Sequence, residues 1–178
     1  MRWPSVVESW GSTATERAGS YPCDRLIEHP DGVVFRAVDI AAPPALVFRW
    51  LCQLRIAPYS YDWIDNLGRR SPARLHEGLD QLEVGQRFMT IFRLVTFEHG
   101  RSITLDSTTA LFGRVVGSYV VVPAGADHSR LVVKLLLATR RTLWGTIMRA
   151  LLPPGDLVMM RKQLLTLKAL AERDTATQ

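Results

Sequence analysis

The sequence predicts an α+β fold in which an antiparallel β-sheet packs against one long C-terminal helix. Two observations carry this prediction. Gly155–Arg173 places apolar residues at spacings of three and four, and Arg87–Thr139 contains runs typical of strands, separated by polar turns. Because the helical stripe has no heptad partner elsewhere in the chain, we expect the helix to lie across the sheet.

Five apolar residues form the stripe of this helix. Their spacing places them on one face of a helix with 3.6 residues per turn, and burying each large side chain contributes roughly 1.5–3 kcal/mol. The stripe comprises Leu157, Met160, Leu164, Leu167 and Ala171. We therefore expect this helix to supply a principal part of the core.

The bulk composition is typical of a globular protein of one domain. The chain has 178 residues, of which 47% are hydrophobic and 22% charged. No apolar run reaches the ~18 residues that a membrane span needs, so we expect none. The opening residues lack the continuous apolar core of a secretory signal, so we expect the protein to be cytoplasmic.

Charge, cysteine and histidine usage argue against several classes of site. The net charge of +5 is spread along the chain without a nucleic-acid-binding signature, so no nucleic-acid partner is predicted. Cys23 and Cys52 are the only cysteines and have no CxxC spacing, which favours buried free thiols. The four histidines are scattered, so we predict neither a metal site nor a cofactor.

A first strand and short helices precede the predicted sheet region, and the second helical stretch is one or two turns that Gly68 closes. Val33–Ile40 is rich in residues that favour strands. Pro43-Pro44 suits a helix start, because the first turn does not need the N–H that proline lacks, and Pro58 ends this helix. The polar connection over 69–86 is predicted to wrap an edge of the fold.

Two hairpins complete the predicted sheet. Arg87–Glu98 and Ser102–Thr109 flank one polar turn, and Arg114–Val122 and Arg130–Thr139 flank another. With the first strand this gives at least five strands, or more if the first of these segments is split. The face predicted to meet the core carries Leu131, Val133, Leu135 and Leu137.

Pro153-Pro154 is predicted to divide the C-terminal region into two helices. Proline interrupts the helical hydrogen-bond ladder, so Arg140–Leu152 should form a separate amphipathic piece. Asp156 would then lie near the N-terminus of the final helix, where its charge suits the dipole. The shorter piece packs on the sheet or, alternatively, forms a lid or contacts a membrane surface through Leu143, Trp144, Ile147 and Met148.

The domain organisation follows from these patterns. Residues 1–31 lack sustained periodicity and are predicted to be an irregular arm, which Trp3 and Trp10 pin to the rest of the protein. Residues 32–174 are predicted to form the main domain, with the sheet and the C-terminal helix, and residues 175–178 a short tail. The oligomeric state is left open.

The order of these elements resembles the helix-grip superfamily known as SRPBCC, which includes START-type lipid carriers, pollen-allergen-type proteins and polyketide cyclase/dehydrases. The segments that carry the resemblance are Ile40–Leu51, Tyr59–Leu67, Leu82–Gln86 and Met160–Glu172. The resemblance implies a curved sheet that wraps around the last helix, with a cavity between them for an apolar small molecule. Apolar pockets with a few polar groups are the usual ligand sites.

The residues predicted to bind this ligand fall into two groups. One is an aromatic group at the cavity mouth, which comprises Tyr59, Tyr61 and Trp63. The alternative is that these rings pack onto the edge of the sheet, while Asp62 or Asp65 caps a turn. The other group would line the cavity, and its alternative is a filled core. It comprises Phe88, Phe92, Leu105, Tyr119, Leu157, Met160 and Leu164.

Three functions are consistent with the sequence. The first is reversible binding of a hydrophobic or aromatic molecule, such as a lipid or a polyketide-like compound. The second is a cyclase/dehydratase-like enzyme that uses general acid–base chemistry in the same cavity, which requires a polar residue inside. No residue stands in a diagnostic catalytic spacing, so none is assigned a catalytic role. The third is a module with a filled cavity that contacts a protein or the surface of a membrane.

Overall fold

Six strands and four α-helices make up the part of the chain that the computed structural model describes. It describes residues 5–61, 63, 68–107, 113–139 and 143–177, without the side chains of residues 143–145, 148 and 149. The strands are β1 (Gly32–Ile40), β2 (Arg87–Phe88), β3 (Phe92–Glu98), β4 (Ser102–Ser107), β5 (Arg114–Pro123) and β6 (Ser129–Ala138). The helices are α1 (Ser5–Ser9), α2 (Ala14–Ala18), α3 (Pro44–Cys52) and α4 (Leu143–Thr175), with 3₁₀ turns at Pro22–Arg25 and Gln53–Arg55.

The strands form one antiparallel sheet in the order β1-β6-β5-β4-β3-β2. The first strand therefore pairs with the last, and the connection after α3 carries the chain to the opposite edge. Arg87–Glu98, for which the sequence left one strand or two open, is split, because β2 and β3 are separate strands that pair with each other. Part of the predicted strand Ser102–Thr109 lies outside the described residues.

One face of the sheet packs against α4 and α3. Alternation along the strands turns Leu131, Val133 and Leu135 toward this side, as predicted, where they join Leu164 and Leu167 of α4 in one buried cluster. Helix α3 begins at Pro44, also as predicted, and the Trp50 indole N–H donates to Asp174 Oδ2 at 3.1 Å. The core therefore lies between the sheet and these two helices.

The N-terminal segment covers the other face of the sheet. Cys23 is buried there with Val116 and Leu136, and Lys134 Nζ lies 2.6 Å from Asp24 Oδ1. Ser9 and Trp10 form parallel bridges to Phe35 and Arg36 of β1, which extends the edge of the sheet. Both cysteines are free and buried, as the sequence indicates.

Helix α4 is continuous through Pro153 and Pro154, so the predicted division at these prolines is wrong. Proline has a helical φ, and its cost inside a helix, about 3 kcal/mol, comes from a lost hydrogen bond and ring crowding. Burial of several large side chains on the inner face of α4 exceeds that cost at roughly 1.5–3 kcal/mol each.

Asp156 consequently does not stand at a helix N-terminus, as the sequence had indicated. It lies inside α4, more than three turns from Leu143, and its carboxylate binds Arg36 of β1. Among the described residues, no helix combines the length and the apolar character needed to cross a membrane.

Candidate functional site

A row of side chains runs across the inner face of the sheet beneath α4. Arg36 on β1 is the register partner of Val133 on β6, and Val133 is in turn the partner of Tyr119 on β5. Arg36 and Tyr119 therefore stand two strand spacings apart, about 10 Å between backbones. Each of these two polar side chains meets a polar residue of the helix.

Arg36 is a fully buried cation bound to α4. Its Nη2 donates to Asp156 Oδ2 at 2.7 Å and to the Pro153 carbonyl at 3.4 Å, and its Nη1 donates to the Phe35 carbonyl at 2.8 Å. Its Nε is also buried and has no hydrogen-bond partner among the described residues. The Arg36 Nε–H is therefore an unused hydrogen-bond donor in the layer between the sheet and α4. A buried donor without a partner costs stability.

Asp156 is the acidic member of this pair, and 19% of its side chain is exposed. Removal from water disfavours the charged carboxylate and raises the pKa of Asp156 to about 6, although Arg36 acts in the opposite direction. A carboxyl group with such a pKa exchanges protons near neutral pH, which general acid–base chemistry requires.

Tyr119 and Gln163 form the second polar contact of the layer. The Tyr119 hydroxyl donates to Gln163 Oε1 at 2.9 Å and lies 3.5 Å from Met160 Sδ. Burial, together with the negative charge of Asp156, raises the pKa of Tyr119 above its ordinary value. The hydroxyl therefore stays protonated and serves as a hydrogen-bond donor.

Gln163 also ties α4 to two loops. Its Nε2 donates to the Pro58 carbonyl at 2.7 Å and lies 3.1 Å from Met89 Sδ. Among the residues that the structure describes, three that are not glycine have positive φ, and all three belong to these loops: Tyr59 at 55°, Met89 at 42° and Thr90 at 66°. Backbone strain of this kind costs about 1–3 kcal/mol per residue and is concentrated at functional sites.

The structure brings most of the predicted cavity residues into one cluster between the sheet and α4. These are Tyr59, Phe88, Phe92, Leu105, Tyr119, Met160 and Leu164, of which all but Phe92 are buried. Leu157 and Tyr61 are half-buried, and Trp63 is 75% exposed at the surface. Ligand contact by any of these residues stays a prediction. Asp62 and Asp65, the predicted turn caps, lie outside the described residues.

Sequence reasoning missed Arg36, Asp156 and Gln163 as interior groups. A signal for each exists in the sequence. Asp156 and Gln163 stand four residues before and three after Met160, on the buried stripe of α4, and Arg36 alternates with Val34 and Val38 on the inner face of β1. Polar residues at positions that the period assigns to the core indicate either a structural pair or a site.

Other titratable residues stand apart from this layer. Asp106 binds Arg114 at 2.7 Å rather than Arg93, its neighbour in the strand register. His99 lies in the exposed β3–β4 turn, where its ring meets Phe48 edge to face at 5.4 Å. Within the described ranges, no group of three His, Cys, Asp or Glu residues is arranged to hold a metal ion.

Comparison with solved structures identifies the fold. The di-domain ARO/CYC protein BexL of the BE-7585A biosynthetic pathway is 20% identical at a TM-score of 0.50, over 79% of this chain and half of that protein. A protein from Nitrosospira multiformis is 12% identical at a TM-score of 0.50, over 81% of this chain and 99% of that one. A START superfamily protein from Mycobacterium smegmatis is 15% identical at a TM-score of 0.49, over 79% of this chain and 97% of that one.

At these identities the likeness shows the fold alone, and the first two structures carry it. The chain has the helix-grip fold that its resemblance to SRPBCC proteins implied, with an antiparallel sheet around a long C-terminal helix. No family model and no curated protein matches the sequence.

Proposed function

We propose that this protein reversibly binds a hydrophobic or aromatic small molecule, such as a lipid or a polyketide-like compound, between the sheet and α4. The observation that carries the proposal is the set of polar side chains inside an otherwise apolar layer. Arg36, Tyr119 and Gln163 would donate hydrogen bonds to the oxygens of a ligand, and Asp156 would accept one from a ligand hydroxyl. The carbon skeleton of the ligand would contact Leu105, Met160 and Leu164.

A core selected for stability alone would not need these groups. A buried ion pair is often no more stable than well-packed apolar residues of similar volume, and an unpartnered donor such as Arg36 Nε adds a cost. Strained residues in the adjoining loops add a further cost. Ligand binding supplies a reason for keeping all of these features in one place.

The methionines of the layer would allow it to adapt to a ligand. Met89 and Met160 contact the Gln163–Tyr119 pair, and Met159 accepts the Ser60 hydroxyl at its carbonyl oxygen, 3.1 Å away. Methionine is unbranched and repacks at low cost. We expect the ligand to enter by displacing side chains between α4 and the loops of Pro58–Ser60 and Met89–Thr90.

The experiment is native mass spectrometry of freshly purified protein, followed by titration with palmitate and with a hydroxyanthraquinone. We expect a stoichiometric complex with at least one of them. Met160→Glu should weaken it at least about tenfold, because a charge would enter the apolar part of the site. Val116→Glu is the matched control, since Val116 is also buried, but on the opposite face of the sheet.

Tyr119→Phe provides a second variant, because it removes one hydroxyl and keeps the ring. We expect the affinity for the hydroxyanthraquinone to fall several-fold, as for the loss of one buried hydrogen bond. Failure of both probes to bind the unmodified protein would contradict the proposal and favour a filled core. Equal affinities of Tyr119→Phe and the unmodified protein would place the ligand elsewhere.

A second candidate function is acid–base catalysis on a polyketide-like substrate in the same layer. It is favoured by Asp156, whose pKa of about 6 suits proton transfer, beside the protonated hydroxyl of Tyr119. Asp156 would move the proton, while Tyr119 and Arg36 would donate hydrogen bonds to the developing enolate oxygen. A synthetic poly-β-ketone thioester should then lose water in the presence of the protein, and Asp156→Asn should abolish that reaction. Binding of the thioester without loss of water would contradict the catalytic function and support the binding function only.

A further inference from the structure

Four large apolar residues lie exposed in a line along the outer face of α4. Ile147, Leu151, Val158 and Leu165 are 41%, 58%, 54% and 39% exposed. Their spacings of four, seven and seven residues place them on one narrow strip of a helix with 3.6 residues per turn. We call these four residues the outer α4 line. It lies opposite the buried face that carries Met160 and Leu167.

The outer α4 line differs from the other exposed apolar residues that the structure describes. It extends over about 27 Å of one helix, since the rise is 1.5 Å per residue. The remaining exposed large apolar residues belong to several different segments, for example Val33 on β1, Val122 on β5 and Val84 in the connection after α3. Single exposed apolar residues are normal, whereas several aligned on one face of a helix indicate a contact surface.

Two cations flank this line and carry no compensating charge. Arg161 and Lys162 are exposed, and within the described ranges neither has a carboxylate partner, although the Arg161 guanidinium lies over the Trp10 ring, 5.7 Å from its centroid. Asp156 is the only acidic residue between Leu143 and Ala171, and it is bound to Arg36 on the inner side of the helix. The outer face of this part of α4 is therefore apolar along its centre and positive at its edges.

We propose that α4 docks on an anionic lipid surface, with the outer α4 line entering the interface and Arg161 and Lys162 at the lipid phosphates. An amphipathic helix with this arrangement lies in the plane of the interface, and each cation near an anionic surface adds to the attraction. This proposal does not depend on the ligand-binding function.

A second copy of the chain fits the same surface less well. Pairing two outer α4 lines would place four positive side chains beside one seam, and no acidic residue on the outer face of the described helix would neutralise them before Glu172. Phosphate groups of an anionic bilayer provide that neutralisation.

Trp63 is a further exposed side chain of a type that suits a lipid interface. The Trp63 side chain is 75% exposed. It follows Ser60 by three residues in the sequence, and the Ser60 hydroxyl donates to the Met159 carbonyl of α4 at 3.1 Å. Tryptophan is enriched at membrane–water interfaces because its ring is apolar and its N–H is polar. The predicted membrane contact of Leu143, Trp144 and Met148 involves side chains outside those described.

The test is cosedimentation of the full chain with phosphatidylcholine vesicles that contain or lack phosphatidylglycerol. We expect binding only when phosphatidylglycerol is present, and we expect it to weaken as salt is added. Val158→Asp should reduce binding about tenfold or more, because it puts a charge into the apolar line. Val84→Asp is the control for an exposed valine, at 66% exposure, and should bind like the unmodified protein.

The charges are tested separately with the double variant Arg161→Gln/Lys162→Gln. Its binding to phosphatidylglycerol vesicles should fall roughly tenfold to thirtyfold, while Arg25→Gln/Arg87→Gln, with the same loss of charge elsewhere, should have little effect. Three outcomes would overturn the proposal: absence of binding, unchanged binding of Val158→Asp, or a dimer by light scattering that Val158→Asp converts to monomer.

Discussion

Asp156 is an acidic residue whose pKa depends on its environment inside the fold. Its carboxylate binds the fully buried Arg36, and burial raises its pKa from the ordinary 3.8 to about 6. Between these two values the native protein holds a proton that the unfolded chain has released. Stability contributed by this group is therefore complete at low pH and is lost as the pH rises through about 6.

Asp156→Asn should remove this pH dependence. We expect the difference in unfolding free energy between the unmodified protein and the variant to fall by about 2 kcal/mol from about pH 4 to pH 7. Urea denaturation at several pH values measures the difference. The variant also leaves Arg36 without its anion, so the informative quantity is the change of unfolding free energy with pH and not its absolute value. If the unfolding free energies of the two proteins changed in parallel with pH, the assigned pKa would be contradicted.

Helix α4 is the element whose structure differs most from the prediction. Pro153 and Pro154 leave the carbonyls of residues 149 and 150 without their usual N–H donors, and yet the helix continues to Thr175. The contact of Arg36 with the Pro153 carbonyl and with Asp156 holds this region of the helix on β1. The tertiary contacts therefore stabilise a helix that local propensity disfavours.

Pro154→Ala tests this balance. Alanine restores one helical N–H and removes ring crowding, so we expect the unfolding free energy to rise by about 1–3 kcal/mol. Thermal unfolding measures the change. Pro72→Ala is the control outside helices and strands, where loss of a proline should leave stability unchanged or slightly reduced. A loss of stability in Pro154→Ala would mean that the ring itself packs against a neighbour.

At the scale of the whole molecule, ion pairs and hydrogen bonds attach the N-terminal segment to the outer face of the sheet. Arg130 of β6 binds Glu16, Asp39 and the Gly11 carbonyl, and Lys134 binds Asp24. Gly11 lies against β1 so closely that a β-carbon there would stand 2.1 Å from the Ala37 carbonyl oxygen. This close approach fixes the segment on the edge of the sheet.

Gly11→Ala should loosen that attachment. We expect a loss of about 2–4 kcal/mol in unfolding free energy, or faster amide exchange at Ser9–Trp10 if the segment detaches locally. Gly100→Ala is the matched control, because its φ of +75° resembles the +74° of Gly11 and nothing lies within 4 Å of its added carbon. Similar losses in both variants would mean that φ strain alone is responsible.

The class of fold follows from the sequence pattern alone. The period of 3.6 residues in α4 and the period of two in β6 assign Leu164, Leu167, Leu131 and Val133 to the core, because a side chain's direction follows directly from its position in a regular element. The helix start at Pro44 and the free cysteines follow from local chemistry in the same way.

Which interior groups meet depends instead on long-range contacts. The pairing of β1 with β6 joins residues about a hundred positions apart, and it aligns Arg36 with Tyr119 beneath Asp156 and Gln163. The continuity of α4 was decided in the same way, since packing energy outweighed the local cost of two prolines. Periodicity tells which face a residue occupies, whereas the partner across the layer depends on strand order and on how the helix crosses the sheet.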